Sequence, residues 1–584
     1  MVCQFRDKLW GEGMTALLKA APSQPGQPRF SGHLMAGEIL HIWLRPVDPT
    51  QQSRIQIRGP DGTDKLLSGP PSDDFQLVAQ VISNTGNFDF TVNDAESHVS
   101  LCYAFHPDSV LKSGIRILFT SPQTQANDKL YKLHYSPPFG WMNDPNGLIE
   151  AAGRTHFFYQ HYPHSQRWNT MHWGHGVSDN LVDWIDLPVF LFPRSELLAN
   201  NSRTGGAFSG SAIPNGEGGL RIFHTDHEDG RLPTLEWQMT ATTSDFISAS
   251  ASTPVMDQCP PLPGFGRDLR DPFVFKGPDG VWKMVLGGAD NTAALVLLYE
   301  THDPTAASGW EFSGILHREP LPRAVPAECP CVLPLDGEGQ GLFALIFGLI
   351  GHQTPILGRL NPSFALVGRF DGKRFEEVAR RELDFIGDYY AFQGFSYQSR
   401  PVGFAWAANW ATIGRSRDFP SAASFARRLV WEKNQLHMPP VETVGELRAA
   451  KLAENPSALV SGLTLPNGLA EIRIELDGEG PFQLTFAHAD GPLTLSYEDE
   501  TLDLSLPQAR QRVRSTQQGV KTPMPEYISV YVDVGLLEIF VDGGRLCGTK
   551  RLDSEMPVTS VQFIGAQNLL SGAQVWQLRP RAGK

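Results

Sequence analysis

Trp141-Met142-Asn143-Asp144-Pro145-Asn146-Gly147 is the stretch on which the reading of this chain turns. It sets two side-chain amides and a carboxylate among a Trp, a Met, a Pro and a Gly. Asn, Asp, Pro and Gly favour tight turns, each for its own backbone reason. A turn does not call for a Trp and a Met beside it. A carboxylate held by amides and bordered by aromatic surface is what a sugar pocket presents. Taken alone, the stretch supports turn and pocket equally, and what lies downstream decides between them.

Two further carboxylates sit in compact, Pro-bounded settings, Arg270-Asp271-Pro272 and Glu328-Cys329-Pro330. Between and beyond them run Phe158-Tyr159-Gln160, Trp168, Trp173-Gly174-His175-Gly176-Val177-Ser178, Asp183-Trp184, Phe208-Ser209-Gly210-Ser211, Asp388-Tyr389-Tyr390-Ala391-Phe392-Gln393 and the Trp406 to Trp410 block. In this order the set resembles glycoside hydrolase family 32, the β-fructofuranosidases that include invertases, inulinases and levanases. The resemblance covers the chain from Leu133 to the C-terminus.

That resemblance implies an all-β chain: a five-bladed β-propeller with the acids at one end of its channel, then a C-terminal β-sandwich. It implies a retaining hydrolysis of β-fructosides, such as sucrose and short fructo-oligosaccharides. Such a route needs a carboxylate nucleophile and a protonated carboxylic acid about 5–5.5 Å apart. The resemblance assigns these roles to Asp144 and Glu328. Asp271 accepts hydrogen bonds from fructose hydroxyls, with Arg270 orienting it. Asn143 holds Asp144, and Gln160 and Ser209 bind sugar hydroxyls, as do Asp388 and Gln393. Trp168 and Trp406 line the pocket and Phe208 forms its wall. Physically, Asp144 should be ionised and held by donors, and Glu328 should have a raised pKa. The chain departs from the family pattern at Ala327, Cys331 and Tyr389. A fructosyltransferase or a levan- or inulin-acting fructanase would use the same residues. A non-catalytic sugar-binding protein is disfavoured by the presence of all three acids.

The rest of the chain sets bounds on this reading. A length of 584 residues calls for two or three domains. The net charge of −14 argues against nucleic acid or an anionic membrane as partner. The 41% hydrophobic content supplies ample core. The longest apolar run, Leu342 to Ile350, is too short to span a bilayer and reads as a buried strand. The N-terminal residues show no signal-peptide core, so a cytoplasmic protein is expected. Six cysteines are too sparse for a disulfide scaffold, and Cys329 and Cys331 read as small buried thiols. No Cys/His zinc spacing or phosphate loop occurs, so neither metal nor cofactor is expected.

The expected division is an unordered 1–29, a small all-β module over 30–125, the propeller over 126–440 and the sandwich over 441–584. Period-two alternation predicts strands at His41–Leu44, Arg54–Arg58, Phe88–Val92 and Val99–Phe105. A short helical piece is predicted at Gly445–Lys451. The 30–125 module carries no acid of the set and is expected to dock as a stabilising unit. Self-association through either terminal β region is left open.

Overall fold

The structure is a computed structural model that describes residues 28–125, 130–200, 204–216, 218–232, 234–306, 309–354, 358–413, 421–506, 519–552, 554–566 and 568–583. Most of the 1–29 stretch expected to lack order lies outside the described residues. The chain is all-β, as expected.

Two four-stranded sheets form first. One orders Phe30–Leu34, Gly86–Thr91, Ser53–Arg58 and Asp64–Gly69; the other orders Gln76–Val81, Ile39–Pro46, Ser97–Phe105 and Arg116–Thr120. They share an apolar cluster that includes Leu40, Ile42, Ile55, Ile57 and Phe90. The alternation in Ser53–Arg58 is complete, buried at every odd residue, because one strand face meets the core and the other meets water. Trp43, Leu101 and Tyr103 instead join Phe139, Val177, Leu187 and Val189 in a second cluster that welds this region to the middle of the chain.

Five sheets follow in sequence. The first runs Trp141–Ala151, Arg154–Tyr162, His172–Ser178, Ile185–Asp186. The second runs Gly205–Asn215, Gly219–Glu228, Glu236–Thr243, Thr253–Met256. The third runs Leu269–Lys276, Trp282–Ala289, Ala293–Thr301, Glu311–Pro320. The fourth runs Ala327–Pro334, Phe343–Leu349, Ser363–Phe370, Phe375–Glu382. The fifth has three strands, Tyr390–Tyr397, Arg400–Trp406 and Arg427–Arg428. The leading strand of each sheet touches the next, and that of the fifth returns to that of the first. These leading strands are buried nearly throughout, and each begins at one of the motifs read from the sequence.

Two six-stranded sheets close the chain. Their shared core contains Ile472, Ile474, Leu484, Leu495, Ile528 and Phe563. One local expectation gives way. Trp141–Ala151 is a strand, and the predicted helix at Gly445–Lys451 is a 3-10 turn over Glu442–Leu447 running into the strand Arg448–Ala453. Arg448 there pairs with Glu471 and lies over Trp576, so cross-strand contacts override local propensity. Among the described residues no helix is long and apolar enough to cross a membrane.

Candidate active site

Each of the five leading strands carries a β-bulge, and the bulges hold the chemistry. In each, two residues oppose one: Asn143-Asp144 against Gln160, Phe208-Ser209 against Thr225, Asp271-Pro272 against Leu286, Cys329-Pro330 against Phe347, and Ala391-Phe392 against Ala405. A proline cannot donate to the ladder, so Pro272 and Pro330 sit where donation has already lapsed. The extra residue re-aims its neighbours out of the strand's alternation. Asp271, Cys329 and Ala391 have φ of 63°, 49° and 54°, strained values for side-chain-bearing residues that the surrounding packing must enforce.

That packing is visible. The Thr225 hydroxyl accepts from the Asp271 N–H at 3.0 Å. Ser211 donates to the Pro272 carbonyl at 2.7 Å and accepts from the Val274 N–H at 2.9 Å. The Phe208-Ser209 bulge is clamped by amide and indole donors: Gln160 to the Ala207 carbonyl at 2.8 Å, Trp173 to that of Phe208 at 3.0 Å, Gln393 to that of Gly210 at 2.9 Å.

The three acids converge on Cys329. Its N–H donates to Asp271 Oδ2 at 2.8 Å, its Sγ lies 3.6 Å from Asp144 Oδ2, and Glu328 precedes it in the chain. Asp144 also accepts from Asn143 Nδ2 at 2.8 Å and Ser209 Oγ at 2.7 Å, and Trp141 Nε1 fixes that amide by donating to Asn143 Oδ1 at 2.8 Å. Glu328 has different partners. Arg270 Nε lies 3.2 Å from Oε1, and the Tyr390 hydroxyl donates to Oε2 at 2.9 Å.

Burial pushes all three carboxyls up. For Asp144 the Ser209, Asn143 and Cys329 donors pull against it. For Glu328 the Arg270 charge opposes burial while the Asp144 charge adds to it. Asp271 is pushed up to about 8 by burial and then by the Glu328 charge. Two neighbouring carboxyls in one dry site share a proton rather than both ionise, so Asp271 and Glu328 titrate as a pair. Burial also raises the Cys329 thiol and the Tyr390 phenol, which keeps both as neutral donors.

The model of the glycosyl hydrolases family 32 N-terminal domain matches residues 134–440, which contain every one of these bulges. The chain belongs to glycoside hydrolase family 32. It is 29% identical over 482 residues to a sucrose-6-phosphate hydrolase of Zymomonas mobilis, covering 77% of this chain and 90% of that protein. A raffinose invertase of Escherichia coli is 28% identical over 486 residues, covering 76% of this chain and 94% of the relative. Among solved structures, a family 32 glycoside hydrolase from Bifidobacterium adolescentis superposes with a TM-score of 0.83 at 21% identity, over 94% of this chain and 99% of the other. This chain is therefore a glycoside hydrolase.

Within this family 32 hydrolase, Asp144, Asp271, Glu328, Asn143, Ser209 and Arg270 come together as described. Trp168 and Phe208 stand edge to face at 6.1 Å, both partly exposed, beside an aromatic cluster of Trp141, Tyr162, Tyr390 and Trp406. Two expected ligands do not reach the pocket. Trp406 is fully buried under Trp141 and Trp410, so Trp410 is the indole of that block with a partly open surface. Asp388 pairs with Lys550 Nζ at 2.7 Å and accepts from the Arg551 N–H at 3.1 Å, which ties the fifth sheet's approach to the C-terminal sheets. Gln160 and Gln393 spend an amide N–H on backbone carbonyls, as bulge clamps. Tyr390 was missed as a partner of Glu328; its place two residues after Asp388 carried the signal. Cys329 and Cys331 are small buried thiols, as expected, and Cys329 additionally contacts Asp144 and Asp271. Glu236 and His227, which lie behind Arg270, carried no signal in the sequence. Among the described residues no group of three or more His, Cys, Asp or Glu is arranged to hold a metal ion.

Proposed function

We propose that this protein is a retaining β-fructofuranosidase that releases terminal β-D-fructofuranose from sucrose and short fructo-oligosaccharides. The observation that carries it is the different company kept by two of the three acids around Cys329: neutral donors on Asp144, a guanidinium and a phenol on Glu328. The five sheets with their cyclic contacts are the blades of a five-bladed β-propeller over 126–440. The C-terminal sheets are a β-sandwich over 441–584, and 30–125 is a docked β module.

In the first step Asp144 attacks the anomeric carbon as Glu328 gives its proton to the departing glycosidic oxygen, leaving a fructosyl ester on Asp144. In the second, Glu328 takes a proton from water, whose oxygen displaces Asp144. The shared proton of the Asp271–Glu328 pair suits this sequence. Sugar hydroxyls donating to Asp271 favour its anion, which leaves the proton on Glu328 where the leaving group needs it. The donors on Asp144 keep the nucleophile charged and aimed. The relatives' names support sucrose and its 6-phosphate as substrates.

The test is a product assay of the purified protein on sucrose, sucrose 6-phosphate, inulin and levan, with the anomer followed by NMR. β-Fructofuranose appearing first supports the reading. α-Fructofuranose appearing first, or no fructose from any of the four, overturns it.

A further inference from the structure

Behind Glu328 runs a row of alternating charges that the two-step chemistry does not use. Arg270, whose Nε and Nη2 each lie 3.2 Å from Glu328 Oε1, turns its Nη1 away to Glu236 Oε1 and to Asp268 Oδ1 at 2.9 Å. The Glu236 side chain is fully buried. His227 Nδ1 lies 3.0 Å from the same Glu236 oxygen, and its Nε2 lies 2.9 Å from Asp229 Oδ1, while Thr204 donates to the other oxygen of Asp229. A carboxylate at each ring nitrogen calls for an N–H at both, and only the imidazolium has two. The same ring stacks on Phe208 of the pocket wall, centroids 4.4 Å apart and planes 5° from parallel.

We propose that Glu236 and His227 are positioning residues that act through Arg270 to set the protonation of Glu328, and that His227 also seats Phe208. This rests on Glu328 being the acid/base. Arg270 divides its charge between two carboxylates, so whatever strengthens its hold on Glu236 weakens its hold on Glu328. The His227 cation neutralises part of Glu236 and so releases Arg270 toward Glu328. Burial would raise Glu236, yet Arg270 and His227 bring it down to about 2, so it stays an anion throughout the working range.

The other charges around the row are accounted for. Glu328 faces Asp144 from the first sheet, Asp271 from the third and Tyr390 from the fifth. On the strand of His227, Asp226 and Glu228 are held by Arg194 at 2.9 and 2.5 Å, and Asp226 also by Arg231 at 2.7 Å.

The two positions have effects of opposite sign. Glu236→Gln removes an anion and frees Arg270 for Glu328, whose pKa falls. The basic limb of kcat/KM on sucrose then moves down by about one pH unit. His227→Gln removes a cation, and the limb moves up. A purely structural role would lower activity in both variants with the limb in place. Opposite shifts support the relay, while unmoved limbs or shifts of the same sign overturn it. If one variant fails to fold, the signed shift of the other decides alone. The Glu328→Ala protein separates the two readings. If it keeps its turnover, the acid/base assignment itself fails. If it is inactive and the limbs do not move, only the relay fails.

Discussion

The Cys329 N–H donates to Asp271 Oδ2 at 2.8 Å, so the residue that follows Glu328 in the fourth sheet holds the carboxylate of the third. The bond exists because both residues sit in bulges with left-handed backbone. It couples the two acids that share a proton. Asp271→Asn removes the carboxyl with which Glu328 shares a proton, so the upper step of the pair is lost and the basic limb of kcat/KM moves to lower pH. Asp144→Ala and Glu328→Ala are expected to fold and to lose roughly 10²–10⁴-fold or more in kcat on sucrose. Steady-state kinetics beside circular dichroism checks all three.

The Tyr390 hydroxyl donates to Glu328 Oε2 at 2.9 Å. Tyr390→Phe removes a donor to the carboxylate, so the Glu328 pKa rises and the basic limb moves to higher pH. A loss of about 1.5–3 kcal/mol of stabilisation is expected for a bond to a charged group. Gly348 offers a second route to the same contact. A Cβ there would stand 2.7–2.9 Å from the Tyr390 ring and hydroxyl, so Gly348→Ala must move the phenol. It should reproduce the pH shift with an added drop in Tm. An unmoved pH profile in both variants would show that Tyr390 does not tune Glu328.

Stability should carry its own pH signature from a buried network where the middle of the chain meets the C-terminal sheets. His134 lies 2.9 Å from Asp533 and 3.0 Å from Glu538, with all three side chains fully buried, and Arg427 bonds Glu538 as well. Burial pulls His134 down, but Asp533 and Glu538 outweigh it and bring it up to about 8. Asp533 and Glu538 are lowered despite burial, by His134 and Arg427. For His134 the contribution, about 2 kcal/mol, is complete below its unfolded value of 6.5 and lost as pH rises through about 8. For the two acids it is present above their unfolded values and lost as pH falls through the lowered ones. Tm should therefore decline on the alkaline side above pH 7. His134→Gln should flatten that decline while lowering Tm overall. Glu538→Gln leaves Arg427 and His134 short of a charge partner and should cost about 3–5 kcal/mol. Differential scanning calorimetry across pH 5–9 checks both variants.

The first two sheets are tied to the pocket's neighbourhood. Trp43 packs against His164 at 4.9 Å and Phe192 at 5.6 Å, Ser100 meets His164 Nδ1 at 2.8 Å, and Tyr162 donates to the buried Asp74 at 2.9 Å. A chain beginning near residue 127 would expose Phe139, Val177, Leu187 and Val189. It is expected to be insoluble or to melt at a lower temperature than the full chain. A truncated protein that melts like the full chain and loses only oligosaccharide affinity would make this region a binding module.

The sequence by itself determined the all-β class, the order of the acids and much of the strand pattern. Alternation in Ser53–Arg58 follows from period two, and the Pro-bounded Asp271 and Glu328 blocks mark places where a ladder must lapse. It did not determine the bulges. Asn143-Asp144 suits a turn and a pocket equally by its residues, and its strand forms only when Arg154–Tyr162 lies beside it. Whether a polar residue binds a sugar or braces the backbone depends on what stands opposite. Asp388 meets Lys550, 162 residues away, and Gln393 meets Gly210 across the leading strands. Trp406 and Trp410 are indistinguishable as indoles in one block, and only packing buries the first and leaves the second partly open. The protonation states were the least legible feature. They depend on summed burial and charge from separate sheets, and no sequence window contains Arg270, Glu236, His227, Tyr390 and Glu328 together.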